Sequence, residues 1–194
     1  VAQHLVWTDL KSKRQVLRDV LRHESVKNAV IFCNRKRDIA TLVKSLTRHG
    51  FPAVALHGDM SQSARLEALQ RFKDGEVPLM IASDVAARGL DIVGLSHVFN
   101  FDIPSHAEDY VHRIGRTGRA GRDGKAMMMS APRDGKNLDA IEKLLQTEIP
   151  RLENPVATSK KTVAQPSAEV AEQKQVQAEP KPKLRERDGR QRNK

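Results

Sequence analysis

The sequence predicts an α/β domain with a doubly wound, mostly parallel sheet, followed by a C-terminal tail that has no core of its own. Two observations predict this fold class. Five short apolar runs are separated by segments in which apolar residues recur at helical spacing. The runs are apolar throughout rather than alternating, which is typical of strands covered by helices on both faces of a sheet.

The predicted strands and helices follow one another up to residue 152. The strands cover residues 29–33, 53–56, 79–83, 97–101 and 125–130. Helical spacing is found before the first strand, between the first three strands and after the last, at Leu10, Leu17, Val20, Leu21, Ile39, Leu42, Val43, Leu46, Leu66, Leu69, Phe72, Ile141, Leu144 and Leu145. We expect Gly50 to end the second helix and Ser61 to cap the third. In such sheets, ligands bind in the loops at the carboxyl ends of the strands.

The composition changes near residue 152 and predicts two regions, an ordered domain at 1–152 and a disordered basic tail at 153–194. All five Phe, all five Met, the single Trp and the single Tyr precede the change. The tail has too few large apolar residues to offset the entropy of ordering it. Its last part, residues 181–194, has seven basic and two acidic residues. Two interpretations stay open for this part, a solvated end and an electrostatic tether for nucleic acid.

The charge balance predicts a polyanionic partner. The chain has 34 Lys and Arg against 24 Asp and Glu, a formal net charge of +10. The longest apolar run, residues 29–33, is far too short to span a membrane. Residues 1–10 lack the basic and apolar segments of a secretory leader. The single cysteine, Cys33, points to a reducing compartment and so to the cytoplasm, and its apolar surroundings predict a buried, unreactive thiol.

Several common catalytic motifs are absent from the sequence. A Walker A loop requires Gly, four residues and then Gly-Lys-Ser/Thr. The nearest candidate, Gly124-Lys125, has Arg at 119 and Ala at 126. The seven His residues and one Cys show no metal-ligand spacing, and no G-x-S-x-G sequence marks a serine nucleophile. We therefore expect neither the primary phosphate-binding loop of a nucleotide hydrolase nor a metal site in this chain.

The segment from residue 110 to residue 124 is rich in arginine and glycine. Val111 and Ile114 are spaced as in a helix that packs on the core, and Arg113, Arg116 and Arg119 recur every three residues. We expect these arginines to converge on one anion, because guanidinium groups match phosphate oxygens in a bidentate manner. A mobile basic loop or an Arg/Gly RNA-binding segment is the alternative interpretation.

Five ordered motifs in the first 150 residues resemble those of the second domain of DEAD-box RNA helicases. Motif VI is represented by His112-Arg-Ile-Gly-Arg-Thr-Gly-Arg119. Residues 82–91 resemble motif V, with the sequence Ala82-Ser-Asp-Val-Ala-Ala-Arg-Gly-Leu-Asp91 and with Ser83 where the family commonly has Thr. The sequence Val30-Ile-Phe-Cys-Asn34 is similar to motif IV, and His57-Gly-Asp59 and Gln62-x-x-Arg65 resemble the motifs between IV and V.

The resemblance implies that this chain is the C-terminal RecA-like domain of an ATP-dependent RNA helicase. Members of the family have two RecA-like domains, with ATP and RNA bound across the cleft between them. The absent N-terminal domain of the same polypeptide would be a partner, and it would hold most of the ATP and its Mg²⁺. RNA would be the second partner. On this view, the fragment alone would be inactive in ATP hydrolysis.

The resemblance also assigns roles to individual residues. Arg116 and Arg119 would contact the γ-phosphate, and His112 would couple the nucleotide and RNA surfaces. Gly89 and Asp91 would contact the nucleotide, Asp91 through a ribose hydroxyl. The residues that would face RNA are Asn34, Gly58, Gln62, Arg65, Ser83 and Arg88. Without the resemblance, Asp91 would be interpreted as a turn former, His112 as a packing residue and Arg65 as a solvated side chain.

Two other classes of function are alternatives to a helicase domain. A stand-alone RNA-binding or annealing module without catalysis would account for the basic tail and the missing Walker A loop. A small-molecule-binding α/β domain, such as a methyltransferase, should have a glycine-rich turn after its first strand. The sequence there is Cys33-Asn-Arg-Lys-Arg37, which contains no glycine and disfavours this class.

Overall fold

The computed structural model describes residues 1–90, 92, 94–118 and 123–152, so the predicted tail at 153–194 lies outside the described residues. The strands are β1 (Ala2–Trp7), β2 (Ala29–Phe32), β3 (Ala53–Leu56), β4 (Leu79–Ala82), β5 (His97–Asn100), β6 (Lys125–Ser130) and β7 (Arg151–Leu152). The helices are α1 (Lys13–His23), α2 (Lys36–Arg48), α3 (Gln62–Lys73), α4 (Asp84–Ala87), α5 (Ala107–Ile114) and α6 (Gly135–Leu145), with a 3₁₀ turn at Pro132–Asp134. In the described part of the chain, no helix is both long and apolar enough to cross a membrane.

The seven strands form one sheet in the order β3-β4-β2-β5-β6-β1-β7, and every pair is parallel. The five predicted strands are confirmed to within one residue. The short strands β1 and β7 were not predicted. Only Leu5 and Val6 are buried in β1, so the strand has no continuous apolar run. It is recognisable only from its pairing with β6, where Ala2 lies opposite Lys125 and Trp7 opposite Ser130.

Helices cover both faces of the sheet, which confirms the doubly wound architecture. The side chains of β2 show the division, because successive residues of a strand point to opposite faces. Ile31 packs in a core with α1 and α2, whereas Val30 and Phe32 pack in a core with α3 and α4. A third cluster lies between β1, β6, α5 and α6 and includes the fully buried Tyr110.

Both predicted helix boundaries are confirmed. Gly50 follows α2 with φ of +83°, a left-handed conformation that glycine accepts without strain. The N–H groups of Gly50 and Phe51 donate to the carbonyls of Thr47 and Leu46, at 3.1 and 3.0 Å, as in a Schellman motif. At the start of α3, Ser61 Oγ accepts a hydrogen bond from the Ala64 N–H at 3.2 Å.

Three predicted helix faces are partly wrong. Leu10 lies outside α1, and Leu66 and Leu144 are among the exposed large apolar residues. Helix α3 covers β3, which is the edge strand of the sheet, and it buries only a narrow stripe that includes Ala68 and Phe72. Helix α6 buries Leu138 and Ile141 in place of Leu144.

The prediction for α5 also requires correction. Ile114 packs against the third core cluster as expected, whereas Val111 is 42% exposed and does not. The buried residues of this helix are Tyr110 and Arg113, whose polar atoms find partners inside the domain. The Tyr110 hydroxyl donates to Gln3 Oε1 at 2.8 Å. Burial of a hydrogen-bonded polar side chain costs far less than burial of an unpaired one, which is why these two residues can replace Val111.

Cys33 is confirmed as a buried thiol. It lies directly after β2 with no exposed surface and makes no disulfide. Burial raises the pKa of the Cys33 thiol well above its ordinary value. Because the thiolate is the reactive form, this residue is unsuited to nucleophilic chemistry.

Candidate functional site

The predicted motifs meet at the carboxyl edge of the sheet. Gly58 follows β3, Ser83 follows β4 and Asn34 follows β2, and these three strands are adjacent in the order β3-β4-β2. Parallel strands bring their carboxyl ends to one edge, so motif IV, motif V and the His-Gly-Asp segment share one surface. Helix α5, which contains the first part of motif VI, follows the next strand, β5.

The motif V segment turns sharply after β4. Ser83 is in an extended conformation before the single-turn helix α4, and its hydroxyl makes no hydrogen bond within the described residues. Gly89 follows the helix with φ of +73°, a conformation that disfavours any residue with a side chain. No described residue lies within 4 Å of a Cβ placed on Gly89, so the requirement for glycine seen here comes from the backbone conformation.

Helix α5 is attached to the motif V segment at three levels. Near its start, Asp109 Oδ1 accepts a hydrogen bond from Arg88 Nη2 at 2.7 Å. One turn later, Arg113 forms a bidentate ion pair with Asp84, with both distances at 2.6 Å. After the helix, Arg116 Nη1 donates to the carbonyl of Leu90 at 3.0 Å. These contacts join the segment from residue 84 to residue 90 to motif VI.

The expectation that Arg113, Arg116 and Arg119 converge on one anion is wrong for Arg113. Arg113 is only 2% exposed and points into the domain, where its guanidinium donates to Asp84, Asn34 and the end of β5. Arg116, three residues later, lies at the surface. The two side chains diverge because internal acceptors capture the first of them.

Arg116 is half-buried, and its carbonyl accepts a hydrogen bond from the Leu95 N–H at 3.2 Å. Its contact with Leu90 uses one guanidinium N–H, and no other hydrogen bond of this side chain is formed within the described residues. The side chain borders a shallow depression beside motif V, which is also lined by Phe32, Ala87, Arg88 and His112. Arg119 and Asp91, the other predicted nucleotide contacts, lie outside the described residues.

His112 is exposed at the border of this depression. Its ring makes no hydrogen bond within the part of the chain that the structure describes. The packing role that was the alternative interpretation is therefore not observed. His112 and Arg116 line the same depression, which agrees with their expected placement at one site.

The predicted RNA residues of α3 and of the preceding loop lie on one side of the edge. Gly58 and Gln62 are exposed, and nothing lies within 4 Å of a Cβ placed on Gly58. Arg65 is half-buried, and its Nη2 lies 3.5 Å from the carbonyl of Ala86, so it bridges α3 and α4. The Arg65 guanidinium thus approaches the motif V helix, as expected if both elements face one ligand.

The side chain of Asn34 is committed to the domain. Its Nδ2 donates to the carbonyl of Ile103 at 2.8 Å, and its Oδ1 accepts from Arg113 at 2.9 Å. Its backbone N–H donates to Asp102 Oδ2 at 3.0 Å. Asn34 therefore fixes the end of β2 relative to β5 and to α5.

An exposed ion pair joins the helix after motif IV to the His-Gly-Asp segment. Lys36 Nζ lies 2.7 Å from Asp59 Oδ2. The hydrogen bond from Lys36, together with its charge, lowers the pKa of Asp59 below its ordinary value. Asp59 is therefore fully ionised at neutral pH, and its negative charge offsets the positive charge of Lys36.

Comparison with known proteins decides the family. The family model described as the helicase conserved C-terminal domain matches residues 12–121, more than half of the chain. The chain belongs to this family. The motifs from IV to VI, at residues 30–119, all lie within the matched residues.

Relatives and solved structures agree with this assignment. The DEAD-box ATP-dependent RNA helicase CshA of Bacillus cereus is 44% identical over 145 residues, which are 75% of this chain and 28% of the relative. The E. coli DEAD-box protein SrmB, solved bound to regulator of ribonuclease activity A, superposes with a TM-score of 0.74 at 33% identity, over 78% of this chain and 90% of that one. S. cerevisiae Dbp5 bound to RNA and ADP BeF3 gives 0.73 at 28% identity, over 81% and 42%.

These superpositions confirm the RecA-like architecture of the helicase domain. The chain spans less than a third of the length of the Bacillus relative, so most of that relative has no counterpart in this sequence. Within the described residues, the domain has no group of His, Cys, Asp or Glu side chains that could hold a metal ion.

The sequence did not predict the buried polar residues that contact the motif residues at the ends of the strands. Lys13, only 4% exposed, lies with its Nζ 3.2 Å from Asp102 Oδ1 and 5.0 Å from the centre of the Phe101 ring. Asn100 is fully buried and accepts from Arg113 Nη1 at 3.1 Å. The available signal was the polar character of Asn100 and Asp102 at the end of an otherwise apolar strand, where a parallel sheet places its functional edge.

Proposed function

We propose that this domain is the second half of an ATP-dependent RNA helicase and works with an N-terminal RecA-like domain of the same polypeptide in the cytoplasm. One observation carries the proposal: the half-buried Arg116 lies beside motif V, and most of its guanidinium has no partner among the described residues. The Bacillus relative is a DEAD-box ATP-dependent RNA helicase, and the yeast relative was solved with RNA and ADP BeF3. Both support the proposal.

The nucleotide side of the site consists of motif V and motif VI. Arg116 is directed at the γ-phosphate of an ATP that the N-terminal domain holds, and its charge stabilises the oxygens on which negative charge develops. The bond to Leu90 holds the side chain in place before the nucleotide arrives. Arg119 and Asp91, outside the described residues, are assigned to the same triphosphate and its ribose, and Gly89 and His112 to the surface around them.

This domain could supply only some of the contacts to ATP and Mg²⁺, and the N-terminal domain would supply most of them. Arg116 supplies a cation for a phosphate, but the described residues contain no cluster that could ligate a metal. The N-terminal domain would therefore supply the metal-binding side chains, and Mg²⁺ would neutralise phosphate charge during hydrolysis. This domain contributes cations and backbone geometry.

The RNA side of the site lies over the ends of β3, β4 and β2. Gly58, Gln62 and Arg88 are exposed there, and the Ser83 hydroxyl has no hydrogen-bond partner among the described residues. Arg65 approaches from α3. Hydroxyl, amide and guanidinium groups contact sugar and phosphate rather than base edges, so binding is largely independent of RNA sequence. Asn34 contributes by fixing the end of β2, because its side chain is already bonded within the domain.

The proposed cycle couples the two sides of the site. ATP binding draws the two domains together around a single RNA strand and bends it, so that a short duplex opens locally. Hydrolysis then separates the domains and releases the strand. The attachments between α5 and motif V provide the mechanical connection within this domain.

The proposal is tested by RNA-stimulated ATP hydrolysis in the polypeptide that carries both domains. Replacing Arg116 with Ala should lower kcat by about 10³-fold or more, the range measured for arginine fingers, while the thermal unfolding transition is retained. The matched control is Arg133→Ala, an exposed arginine of the 3₁₀ turn that pairs with Asp134 at 3.6 Å. It should leave turnover unchanged.

Two results would overturn the proposal. The first is unchanged turnover in the Arg116→Ala protein. The second is robust hydrolysis by the 194-residue chain alone, which lacks a Walker A loop and is expected to bind ATP poorly. RNA binding without any hydrolysis by the two-domain polypeptide would favour the alternative, a non-catalytic RNA-binding or annealing module.

A further inference from the structure

The guanidinium of Arg113 uses all five of its N–H groups inside the domain. Nε and Nη2 donate to the two carboxylate oxygens of Asp84, each at 2.6 Å. Nη1 donates to Asn100 Oδ1 at 3.1 Å and to the carbonyl of Asp102 at 2.7 Å. The remaining N–H of Nη2 donates to Asn34 Oδ1 at 2.9 Å. Because a guanidinium has five N–H donors, none is left for a phosphate.

The charge of Arg113 is balanced where it lies. Asp84 provides the counter-charge, and the carboxylate of Asp102 is turned away toward Lys13 Nζ at 3.2 Å. The Phe32 ring lies beneath the guanidinium with its centre 5.0 Å away. The Arg113 side chain is 1% exposed, so a phosphate could reach it only after a buried ion pair had been broken, which is strongly unfavourable.

The acceptors of Arg113 come from three adjacent strands. Asp84 follows β4, Asn34 follows β2 and Asn100 ends β5, and the sheet order β4-β2-β5 places these three ends side by side. The donor itself lies on α5. A single side chain therefore sets the position of α5 against the carboxyl ends of three strands.

Two segments of the proposed site depend on this arrangement. Ser83, proposed to face RNA, directly precedes Asp84 in the chain. Arg116, proposed to face ATP, follows Arg113 by three residues, and its N–H donates to the Arg113 carbonyl at 3.2 Å. A shift of the ion pair between Arg113 and Asp84 would therefore displace groups on both sides of the site.

We infer that Arg113 is a positioning residue that holds the RNA-facing and ATP-facing segments in one arrangement while contacting neither ligand. The inference rests on the proposed function. It differs from the role of Arg116, which acts on the nucleotide alone. Loss of Arg113 should therefore weaken RNA binding and ATP turnover together, whereas loss of a nucleotide ligand should affect only turnover.

Two substitutions test this inference in the polypeptide that carries both domains. Arg113→Lys keeps the charge but replaces a planar five-donor group with one nitrogen, which cannot reach acceptors on three strand ends. Asp84→Asn keeps the shape of the partner and removes the carboxylate. In each variant, we expect RNA affinity and kcat to fall by about tenfold, the order of coupling effects between connected sites.

The double variant and a ligand variant complete the design. Arg113→Lys combined with Asp84→Asn should lose less than the product of the two single effects, because both break the same ion pair. Arg116→Lys is the matched comparison three residues away. It should lower kcat and leave RNA affinity within about twofold of the wild type, since its side chain contacts none of the three strand ends that Arg113 joins. RNA affinity is measured by fluorescence anisotropy with a labelled oligo(U), at a temperature where circular dichroism shows every variant folded.

Three outcomes would overturn the inference. Folded variants with unchanged RNA affinity and turnover would show that Arg113 only packs. Loss of turnover with full RNA affinity would make it a nucleotide ligand. If Arg113→Lys does not fold, Asp84→Asn decides, and unfolding of that variant as well would show a role in stability alone. A wild-type polypeptide that neither binds RNA nor hydrolyses ATP would instead refute the proposed function.

Discussion

Arg88 and Asp109 join the motif V segment to the first turn of α5, with Nη2 of the arginine 2.7 Å from Oδ1 of the aspartate. The Arg88 side chain is 64% exposed, whereas that of Asp109 is 16% exposed. The carboxylate therefore holds the cation over the depression beside Arg116 and leaves one side of the guanidinium open. This geometry is compatible with the RNA contact proposed for Arg88, because the side chain could keep its internal partner.

Replacing Arg88 and replacing Asp109 should change RNA binding in different directions. Arg88→Gln should lower RNA affinity and reduce the slope of log affinity against log salt by about 0.7, the value for one phosphate contact on a single strand. Asp109→Asn should keep or raise the affinity, because it frees the guanidinium for a phosphate. Binding is measured by anisotropy over a salt series.

The matched control for this pair is Arg71→Gln. Arg71 is a partly exposed arginine near the end of α3 that pairs with Glu76 at 3.3 Å, outside the proposed site. It should leave both affinity and salt slope unchanged. The assignment of Arg88 to RNA would be wrong if Arg88→Gln behaved like this control. Each of these ion pairs has an arginine at the surface, and surface ion pairs contribute at most about 1 kcal/mol, so all three proteins should remain folded.

Gly58 and Gly89 are expected to be glycine for different reasons. Gly89 is required by its backbone conformation, whereas Gly58 is proposed to contact RNA. Gly89 has φ of +73°, so Gly89→Ala should destabilise the domain by about 1–2 kcal/mol and displace motif V. Gly58 has open space around its Cβ position and no positive φ. Gly58→Ala should therefore keep or slightly raise the unfolding midpoint, because alanine restricts the unfolded chain.

The Gly58→Ala variant separates RNA binding from stability. It should weaken RNA binding although the domain is intact, since an added methyl group blocks close approach of the phosphate backbone. Thermal unfolding and anisotropy on the same preparations check both statements. Full RNA affinity in Gly58→Ala would remove this residue from the proposed RNA surface.

How far the sequence predicts the fold depends on burial. Strands β2, β4 and β5 are buried at every position, so their apolar runs identify them directly. Strand β1 contains Gln3 and His4 and buries only Leu5 and Val6, and the two-residue β7 has no pattern at all. Strand β1 forms because β6 offers an edge to pair with, and β7 forms on the edge that β1 then offers, which is a property of the assembled sheet.

The candidate site shows the same division. The motif residues could be located from the sequence because their spacing is distinctive. The burial of Arg113 and the surface position of Arg116 could not be predicted, since the two arginines are three residues apart in the sequence and have the same chemistry. Acceptors on Asp84, Asn34 and Asn100 decide which arginine is buried, and these come together only when three strands pair.

Acid should destabilise the domain through His97 at the start of β5. His97 is 5% exposed, and its Nε2 lies 3.4 Å from Glu24 Oε2. Burial lowers the pKa of His97 below its ordinary value of 6.5, although Glu24 opposes the shift. The unfolded chain therefore binds the proton more tightly than the folded one. The contribution of His97 to stability should be complete above pH 6.5 and should decline as the pH falls toward the folded pKa.

The neighbouring Glu24 adds a second window at lower pH. Burial disfavours its charged form, but the hydrogen bond and charge of Lys125, at 2.7 Å, outweigh burial and lower the pKa of Glu24 below 4.5. Its contribution is present above pH 4.5 and is lost below it. Unfolding midpoints measured from pH 7.5 to 4 should therefore decline in two stages. In His97→Gln the first stage should flatten, and curves parallel to the wild type would contradict the assignment.

Removing residues 153–194 should separate stability from RNA affinity. We propose that this segment acts as a basic tether without a core of its own, so its deletion should leave the unfolding midpoint unchanged. In residues 181–194, seven basic less two acidic residues leave five net positive charges. If these charges contact phosphates, their loss should weaken RNA binding and reduce the salt slope by up to about 3.5, at about 0.7 for each charge. A version that keeps residues 153–180 is the matched control for length, and it should behave like the full deletion. Loss of the cooperative unfolding transition in either truncated protein would show instead that the segment belongs to the folded domain.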